Sequence, residues 1–430
     1  MKYDTYLISD LIDEISMGPF GSNIKVECFV DDGIPVLNGS NLDGFELSEN
    51  SFRYVTEEKA DSLKKANAHK GDIVITHRGT LGQIVYIPQT AKYDRYVISQ
   101  SQFRIRCNEK VLPEYLVYYF HTPIGQHKLL SNASQVGVPA LARPSSTFQQ
   151  IEVELPDIET QKKVVRLINS FQQLIKLNKK LNANLEEQAQ ALFKHWFVDF
   201  EFPNEEGKPY RSSGGKMVES EMGLIPEGWD CSSVSNFLII NPKLSLKKGD
   251  TATYVDMGSL PTDNGSIYER SKKVFSGGMK FQNGDVLFAR ITPCLENGKT
   301  AFVDFLNDDE VGFGSTEFIV LRGKGEVKFP YVYSLARSDE FRKHCIASMV
   351  GSSGRQRVQN SCFNDYLVAV APHTILKKYN NICLRLFELI SCNTRENIIL
   401  SEIRDTLLPK LMSGEISLAE HKAKIETFEA

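Results

Sequence analysis

Short apolar runs bounded by Gly, Pro or Asn recur through the first third of the chain. Runs of β-branched and aromatic residues of this length predict strands. A helix is predicted over residues 114–130, interrupted by Pro123, because proline lacks the backbone N–H that a helix interior needs. The sequence therefore predicts a mixed, β-rich domain up to about residue 156, with its clearest strands at 34–37, 72–76, 84–87 and 102–106.

A long helix is predicted next, from about Glu159 to Phe197, a stretch that contains neither Pro nor Gly. About 39 residues of helix give a rod of roughly 58 Å. Apolar and amide residues recur along it at alternating steps of four and three, which is a heptad seam. Such a seam needs a partner helix. Its members are Leu167, Phe171, Leu174, Asn178, Leu181, Leu185, Gln188 and Leu192.

The second half of the chain repeats this order. Strands are predicted at 254–257, 285–288, 300–303 and 317–321, followed by a helix over 331–345. A second long helix is predicted from about Leu376 to Met412, with a polar middle at 393–397. Its apolar positions are Phe387, Ile390, Leu400, Ile403, Leu407, Leu408 and Leu411.

Local matches between the halves show an internal repeat at an offset of 213–217 residues. Gly71-Asp72-Ile73-Val74 returns as Gly284-Asp285-Val286-Leu287, and Asn178 matches Thr394. A wandering offset is typical of two copies of one fold with loop insertions. We therefore predict an α+β protein of two similar mixed β-rich domains separated by two long antiparallel helices that form a coiled coil, with a pseudo-twofold internal repeat. The alternative is two unrelated amphipathic helices, each packed on its own domain.

The predicted boundaries follow from prolines and from composition. The segment 201–228 is rich in Gly, Pro, Ser and charge, and we predict that it is a linker that is at most partly ordered. The predicted parts are a first β-rich domain at 1–156, a central long helix at 157–200, a linker at 201–228, a second β-rich domain at 229–372, a C-terminal long helix at 373–412 and a tail at 413–430.

Composition agrees with this organisation. At 430 residues the chain exceeds the usual size of one hydrophobic core, and 41% hydrophobic with 24% charged residues is ordinary for a globular protein.

No apolar run is long enough to span a bilayer and the start lacks the core of a signal peptide, so we expect a cytoplasmic protein without membrane contact. The eight cysteines lack metal-ligand spacing, which predicts reduced thiols and no metal site.

Positive charge is concentrated in parts of the chain although the net charge is −4. Residues 64–143 hold 11 basic and four acidic residues, 270–299 hold six and two, and 322–357 hold eight and three. Such concentration is typical of nucleic-acid binding. The alternative is a solvated face with scattered lysines and arginines.

Motifs for catalysis are absent from the sequence. The segment 293–300 approaches a phosphate-binding loop but has proline in place of its first glycine. No dinucleotide fingerprint, no zinc-protease motif and no Asn/Asp-Pro-Pro-aromatic methyltransferase motif occurs. Asp157 is better explained as a helix cap than as part of a nuclease site. We therefore predict a protein without its own catalysis. An unrecognised nuclease or methyltransferase, or a coiled-coil adaptor without DNA contact, remains as the alternative.

Several segments resemble the specificity subunit of type I DNA restriction-modification enzymes. They lie at 154–165, 192–200, 223–229, 351–357 and 404–416, the last containing Leu407-Leu408-Pro409-Lys410-Leu411-Met412-Ser413-Gly414-Glu415-Ile416. The resemblance implies two target recognition domains that read the halves of a bipartite, asymmetric site in double-stranded DNA. It implies that the long helices set the spacing between the halves and dock two modification subunits. Those partners are expected to carry S-adenosylmethionine and to methylate adenine N6, while restriction subunits add cleavage driven by ATP with Mg; this chain is expected to bind no cofactor.

Candidate DNA contacts are basic or amide residues, because arginine suits guanine, Asn or Gln suits adenine, and cations suit phosphates. His77, Arg78 and Arg290 are preferred since they follow the repeated Gly-Asp strand. One difference stands out: the first half has 135–139 as Gln-Val-Gly-Val-Pro where the second has Ser-Gly-Arg-Gln-Arg at 353–357. The full candidate set is Lys25, Asn38, Asn41, His77, Arg78, Lys92, Arg95 and Arg143 in the first half, and Arg270, Lys272, Lys273, Arg290, Arg355, Gln356 and Arg357 in the second. Pairing with the domain's own acids is the alternative role for several of them.

Overall fold

The computed structural model of the chain describes residues 3–19, 21–134, 137–352 and 354–418. The chain falls into two compact units. The first comprises Met1–Gln173 together with Leu400–Ala430, and the second comprises Leu174–Ile399. Each long helix contributes one part to each unit, so the units do not follow the predicted domain boundaries at 156 and 372.

The first unit is a mixed α/β structure. Its helices are α1 Glu57–Ser62, α2 Pro113–His121, α3 Pro123–Leu130, α4 Pro144–Gln149 and the start of α5 Ile158–Phe193. Its strands are β1 Asp4–Leu7, β2 Ile12–Met17, β3 Phe29–Val30, β4 Ile34–Val36, β5 Arg53–Val55, β6 Asn67–His69, β7 Ile73–Thr76, β8 Ile84–Tyr86, β9 Arg95–Val97, β10 Gln102–Cys107, β11 Ala133–Ser134, β12 Ala140–Leu141 and β13 Glu152–Leu155.

The second unit has a similar content. Its helices are α6 Val234–Phe237, α7 Phe329–Arg337, α8 Asp339–Ala347, α9 Cys362–Asp365 and most of α10 His373–Ser413, while α5 continues into a π-helical turn at Lys194–Val198. Its strands are β14 Met217–Ser220, β15 Gly223–Pro226, β16 Asp230–Ser233, β17 Leu238–Ile240, β18 Thr251–Val255, β19 Ser271–Val274, β20 Met279–Phe281, β21 Val286–Ala289, β22 Thr300–Phe302, β23 Gly312–Gly314, β24 Phe318–Gly323 and β25 Leu367–Val370.

Strand order is the same in the main sheets of the two units. An antiparallel sheet has the order β2-β10-β7-β8 in the first unit and β17-β24-β21-β22 in the second. The other sheet contains β5-β4-β9-β6 in the first unit and β19-β18-β23-β20 in the second. Its two central strands are parallel in both cases, β4 with β9 and β18 with β23. The predicted strands at 72–76, 102–106, 285–288 and 317–321 are therefore the centres of the antiparallel sheets.

Both predicted helices at 114–130 and 331–345 are pairs of shorter helices. Thr122 caps α3 by accepting a hydrogen bond from Gly125 N–H, 3.1 Å. Ser338 caps α8 in the same way through Phe341 N–H, 3.4 Å. A capping hydroxyl satisfies N–H groups that a new helix leaves free. In the second unit the break comes from this cap, since no proline marks it.

The repeated Gly-Asp pair leads into β7 and β21. Gly71 and Gly284 have φ angles of 89° and 86°, which glycine adopts without a Cβ clash. Gly71 N–H donates to Ile87 C=O and Gly284 N–H to Val303 C=O, both at 2.8 Å. The glycine is thus required by the turn that begins the strand.

The aspartate of each pair is fully buried in an ion pair. Asp72 accepts hydrogen bonds from Arg106 Nε at 2.8 Å and from Arg104 Nη1 at 3.2 Å. Asp285 accepts from Arg322 Nε at 2.6 Å. Burial raises the pKa of Asp285, and Arg322 opposes that shift. A buried charge needs such partners, so this arginine is committed to the fold and is not free for a ligand.

Aromatic side chains form much of each core. In the first unit Phe103, Phe120 and Phe148 are fully buried. The ring centroids of Phe103 and Phe120 each lie 5.4 Å from that of Phe148. In the second unit Phe302 meets Phe387 edge to face at 5.1 Å. Edge-to-face pairs of buried rings add to the energy of area burial. The second contact joins the sheet to α10 within that unit.

Helices α5 and α10 contact each other through polar side chains in the second unit. Asn178 Nδ2 donates to Glu396 Oε2 at 2.8 Å and to Asn397 Oδ1 at 3.1 Å. Asn182 Nδ2 donates to Thr394 Oγ1 at 3.2 Å. Partner numbers fall as residue numbers rise, so the two helix segments run antiparallel in this unit. In the first unit Arg404 Nη1 donates to Gln172 Oε1 at 2.7 Å.

The predicted seam on α5 is partly wrong. Leu174 and Leu181 are 37% and 46% exposed, whereas Ile175 and Asn182 are buried. The buried residues Ile168, Ile175, Asn182 and Ala189 keep the seven-residue spacing but lie one position after the predicted series, so a neighbouring face of the helix is buried. Of the other predicted positions, Asn178, Phe387, Ile390, Leu408 and Leu411 are buried, Gln188 and Ile403 are exposed, and Leu167, Phe171, Leu185, Leu192, Leu400 and Leu407 are half-buried.

Polar contacts also attach the β-rich part of the second unit to its helices. Glu186 on α5 accepts hydrogen bonds from Gly265 N–H at 2.7 Å and from Tyr333 O–H at 3.2 Å. Burial raises the pKa of this carboxyl group. On α10, Thr394 Oγ1 donates to Ser266 Oγ at 3.1 Å. Because these bonds are directional, they fix how this sheet lies on α5 and α10.

The segment 201–228 is more ordered than predicted. Strands β14 and β15 pair as a hairpin within it. Phe202 stacks on Trp229 with ring centroids 5.0 Å apart, and Phe200 meets the same indole edge to face at 5.6 Å. The Gly, Pro and Ser content indicated a linker, but the scattered aromatic residues bury their rings in the second unit.

Candidate nucleic-acid interface

Strand β21 ends at a site assembled from three separate segments of the second unit. Arg290 N–H donates to Glu317 C=O at 3.0 Å, and Val358 N–H donates to Arg290 C=O at 2.9 Å. Thr292 N–H donates to Gln356 C=O at 3.1 Å. We call residues 290–292, 315–317 and 354–358 the second strand-end site.

The first unit has an equivalent arrangement at the end of β7. His77 N–H donates to Ser101 C=O at 2.8 Å, and Leu141 N–H donates to His77 C=O at 2.9 Å. Gly79 N–H donates to Pro139 C=O at 2.9 Å. We call residues 77–79, 99–101 and 137–141 the first strand-end site. Gln135, Val136 and Ser353, which entered the sequence comparison of the two late loops, lie outside the described residues.

The two sites have the same backbone hydrogen bonds but different side chains. The bridge between Arg78 and Ala140 corresponds to the bridge between Ile291 and Arg357. By the same correspondence His77 takes the place of Arg290, and Ser101 that of Glu317. The frame therefore does not depend on the side chains that it carries.

Arginine chemistry dominates the second strand-end site. Arg357 donates from Nε to both Glu317 carboxylate oxygens, at 3.0 and 2.9 Å, and from Nη2 to Oε1 at 2.6 Å. This arginine lowers the pKa of Glu317. Arg290 Nη2 donates to Val358 C=O at 3.3 Å, and its buried Nε has no hydrogen-bond partner among the described residues. Arg355 is exposed and Gln356 is half-buried.

The first strand-end site is less charged. His77 Nε2 lies 3.1 Å from Gln100 C=O, and burial lowers the pKa of the imidazole. Arg78 and Arg143 are exposed, and Arg143 has a left-handed backbone with a φ of 46° just before α4. Arg143 also lines a groove of about 590 Å³ together with His127 and Lys128. The site thus offers the exposed cation of Arg78 beside the His77 imidazole.

Other candidates lie away from these sites and are paired with acids. Lys25 Nζ lies 3.5 Å from Glu27, and Arg95 Nη1 lies 2.5 Å from Asp61. Lys272 on β19 lies 2.7 Å from Glu310. That hydrogen bond lowers the pKa of Glu310 to about 2. These cations are therefore partly neutralised within their own unit.

Three further candidate cations lie over aromatic rings. Lys92 Nζ is 5.0 Å from the centroid of Tyr93, and Lys273 Nζ is 3.8 Å from that of Tyr254. Arg270 lies 4.9 Å above Phe305. Cation–π contacts stabilise a charge without neutralising it, so these residues keep their positive charge at the surface.

Asn41 was wrongly proposed as a DNA contact. It is fully buried, and its Nδ2 donates to Ser48 C=O at 3.0 Å and Asn50 C=O at 3.1 Å. Asn38 is exposed, but its Oδ1 accepts from Ser40 N–H at 2.8 Å within a turn. An asparagine that satisfies local backbone groups is a common turn element, and sequence alone does not distinguish it from a base contact.

Glu317 is the residue of the site that the sequence reasoning missed. An acid was not sought because phosphate binding favours cations. The sequence match of Phe318 with Phe103 was also one residue off, since the strand register pairs Phe318 with Gln102. The first copy has Ser101 at the corresponding point of the backbone. A charged residue at a position where the copies differ indicates a role outside the common fold.

Within the described ranges no cluster of His, Cys, Asp or Glu is arranged to hold a metal ion. The helices in this part of the chain are also too short or too polar to cross a membrane.

Comparison with known proteins finds similarity to DNA specificity proteins. Residues 24–187 match the type I restriction modification DNA specificity domain. The chain is 25% identical over 436 residues to the type I restriction enzyme MjaIX specificity subunit of Methanocaldococcus jannaschii, with 97% of this chain and 94% of the relative covered. The HindI specificity subunit of Haemophilus influenzae is also 25% identical, with 81% and 87% covered.

A solved structure has a similar fold. The S subunit of a type I restriction-modification system from M. genitalium aligns with a TM-score of 0.52 at 15% sequence identity, over 96% of each chain. Similarity to specificity subunits thus extends along nearly the whole sequence, well beyond the matched domain.

Proposed function

We propose that this chain selects the DNA sequence on which a type I restriction-modification complex acts, each unit reading one half of a bipartite, asymmetric target. The observation that carries the proposal is the pair of strand-end sites, which share backbone hydrogen bonds and differ in side chains. Base readout requires donors and acceptors held by a rigid frame. Two such frames with different side chains suit two different half-sites.

In this proposal the two units are copies of one target recognition module, and α5 and α10 form an antiparallel coiled coil that sets the number of base pairs between the half-sites. The identical strand orders support the first part. The hydrogen bonds of Asn178 and Asn182 to α10 support the second, because buried amides fix register between helices.

The chain is proposed to act without catalysis of its own. Two modification subunits dock on it, carry S-adenosylmethionine and methylate adenine N6. Restriction subunits add cleavage driven by ATP and Mg. Leu177 on α5 and Leu389 on α10 are 52% exposed, and Ile399 is 54% exposed. Apolar side chains on the outward faces of long helices support a partner that covers them.

Co-expression with a cognate modification subunit tests the function. We expect the two proteins to co-purify and the host genome to gain one new split adenine-methylation motif, detected by single-molecule methylome sequencing. Each subunit expressed alone is the control and should add no motif. Absence of a new motif with both subunits present and soluble would contradict the proposal. Methylation by this chain alone would instead favour an unrecognised methyltransferase, and binding of the partner without DNA would favour an adaptor.

Arg290→Ala is expected to weaken recognition of the second half-site by about 1–3 kcal/mol, the cost of losing a bidentate base contact. The half-buried guanidinium is suited to such a contact because no carboxylate forms an ion pair with it among the described residues. Binding of the complex to duplexes altered in one half-site at a time measures the change. Arg211→Ala, an exposed arginine outside the site, is the matched control. Equal weakening on all duplexes, including those with both half-sites scrambled, would assign Arg290 to the phosphate backbone.

A further inference from the structure

The ion pair between Glu317 and Arg357 has an unusual placement for a surface pair. The side chains are 25% and 40% exposed, and the contact uses Nε together with Nη2 of the guanidinium. The remaining nitrogen, Nη1, lies 3.4 Å from Arg355 C=O. The carboxylate thus occupies the Nε–Nη2 edge of the guanidinium, and the second N–H of Nη2 together with Nη1, whose one bond to Arg355 C=O is long, remains for a further acceptor.

Glu317 is itself fixed. Its N–H donates to Ser315 Oγ at 3.1 Å, and its C=O accepts from Arg290 N–H at 3.0 Å. Backbone bonds between Arg357 and Val350, at 2.9 and 3.1 Å, hold the arginine's main chain in the late loop. Both ends of the ion pair therefore belong to backbone that is already immobilised. For this reason, fixing the Arg357 guanidinium against Glu317 costs little additional side-chain entropy.

The pair is not needed to form the frame. In the first strand-end site Ser101 and Ala140 occupy the corresponding positions, and the same backbone hydrogen bonds are present. The pair also cancels much of the charge of Arg357, so this arginine is poorly suited to attract phosphates. No ion pair is made by its neighbour Arg355 in the described part of the chain, which leaves that residue better suited to a phosphate.

We propose that Glu317 is a positioning residue that holds Arg357 so that its Nη1–Nη2 end reads a guanine in the second half-site. The inference rests on the proposed function. The end of a guanidinium matches guanine O6 and N7 in the major groove, which is the most common specific contact between protein and DNA. Glu317 acts by fixing the plane of the guanidinium and need not touch the base.

The test uses the complex of the full chain with its modification subunit. A library of duplexes randomised at each base pair of the second half-site is methylated by the wild type, Glu317→Gln, Arg357→Gln and the double variant. We expect both single variants to lose discrimination for guanine at the same base pair, by about tenfold or more. The double variant should lose no more than Arg357→Gln alone. Asp339→Asn, which removes the carboxylate from the ion pair of Arg342, is the control and should leave all preferences unchanged.

Base preference is a ratio within one reaction, so a lower fraction of folded protein does not alter it. Unchanged preference in Glu317→Gln, or a loss at a base pair other than that affected by Arg357→Gln, would overturn the inference. A uniform fall in methylation with a lower unfolding temperature would do the same by showing a structural role only. If the wild-type complex methylates no split motif, the proposed function itself fails.

Discussion

Replacing Asp72 with alanine is expected to destabilise the first unit by about 3–5 kcal/mol, the usual cost of removing one partner from a buried ion pair. Arg104 is only 4% exposed and would keep a single carboxylate partner, Glu14. Arg106 would lose its hydrogen bonds at 2.8 and 3.2 Å, and His69 N–H would lose its acceptor at 3.0 Å. The substitution therefore leaves a buried cation poorly satisfied and removes the acceptor of a backbone N–H.

Hydrogen exchange during denaturant titration measures this effect, because exchange in β7 and β10 reports the first unit separately. Asp94→Ala is a suitable control, since Asp94 pairs with Lys70 at the surface and is 93% exposed. We expect no measurable change in that variant. If Asp72→Ala changed the free energy of unfolding as little as the control does, water would have to reach the arginines and the ion pair would contribute little to stability.

Inserting one heptad into each long helix is expected to change the target sequence. Seven helical residues add about 10 Å, which corresponds to about three base pairs at 3.4 Å each. Insertions between residues 176 and 177 and between residues 398 and 399 leave the bonds of Asn178 and Asn182 to α10 intact. The methylated motif should keep both half-sites, gain about three base pairs of spacer and no longer include the original spacing.

A single insertion in α5 alone is the informative contrast. It displaces every residue of one helix segment past its partners by two turns, so Asn178 no longer meets Asn397. We expect that variant to lose defined spacing or fail to assemble with the modification subunit. Methylome sequencing distinguishes the outcomes. A changed base within either half-site after the paired insertion would show that the helices affect base recognition as well as the spacing between the half-sites.

Much of the fold could be predicted from sequence because its strands are marked by local chemistry. The Gly-Asp pair requires a positive φ at the glycine and places a buried aspartate at the start of β7 and β21. Apolar runs bounded by Gly and Pro then identify the central strands. These signals depend on backbone geometry and on residue type, and both can be read without knowledge of distant contacts.

The remainder depended on tertiary contacts that sequence does not contain. Asn182 is buried and Leu181 is exposed because contacts with α10 select the helix face that includes Asn182, against the hydrophobicity of the two residues. Asn41 resembled a base contact until its carbonyl partners were known. Of the candidate site, His77, Arg78 and Arg290 were predicted from the strand that precedes them, whereas the role of Glu317 depends on Arg357, a residue 40 positions away.

The backbone hydrogen bonds that frame both strand-end sites are the same although the side chains differ. His77 and Arg290, or Ala140 and Arg357, occupy equivalent positions with no change in the bonds around them. Substitution at these positions consequently costs the fold little free energy, and a small number of outward-facing residues can be replaced while the sheet stays intact. If the strand-end sites read DNA as proposed, a new target can arise by point substitution without passing through an unstable intermediate.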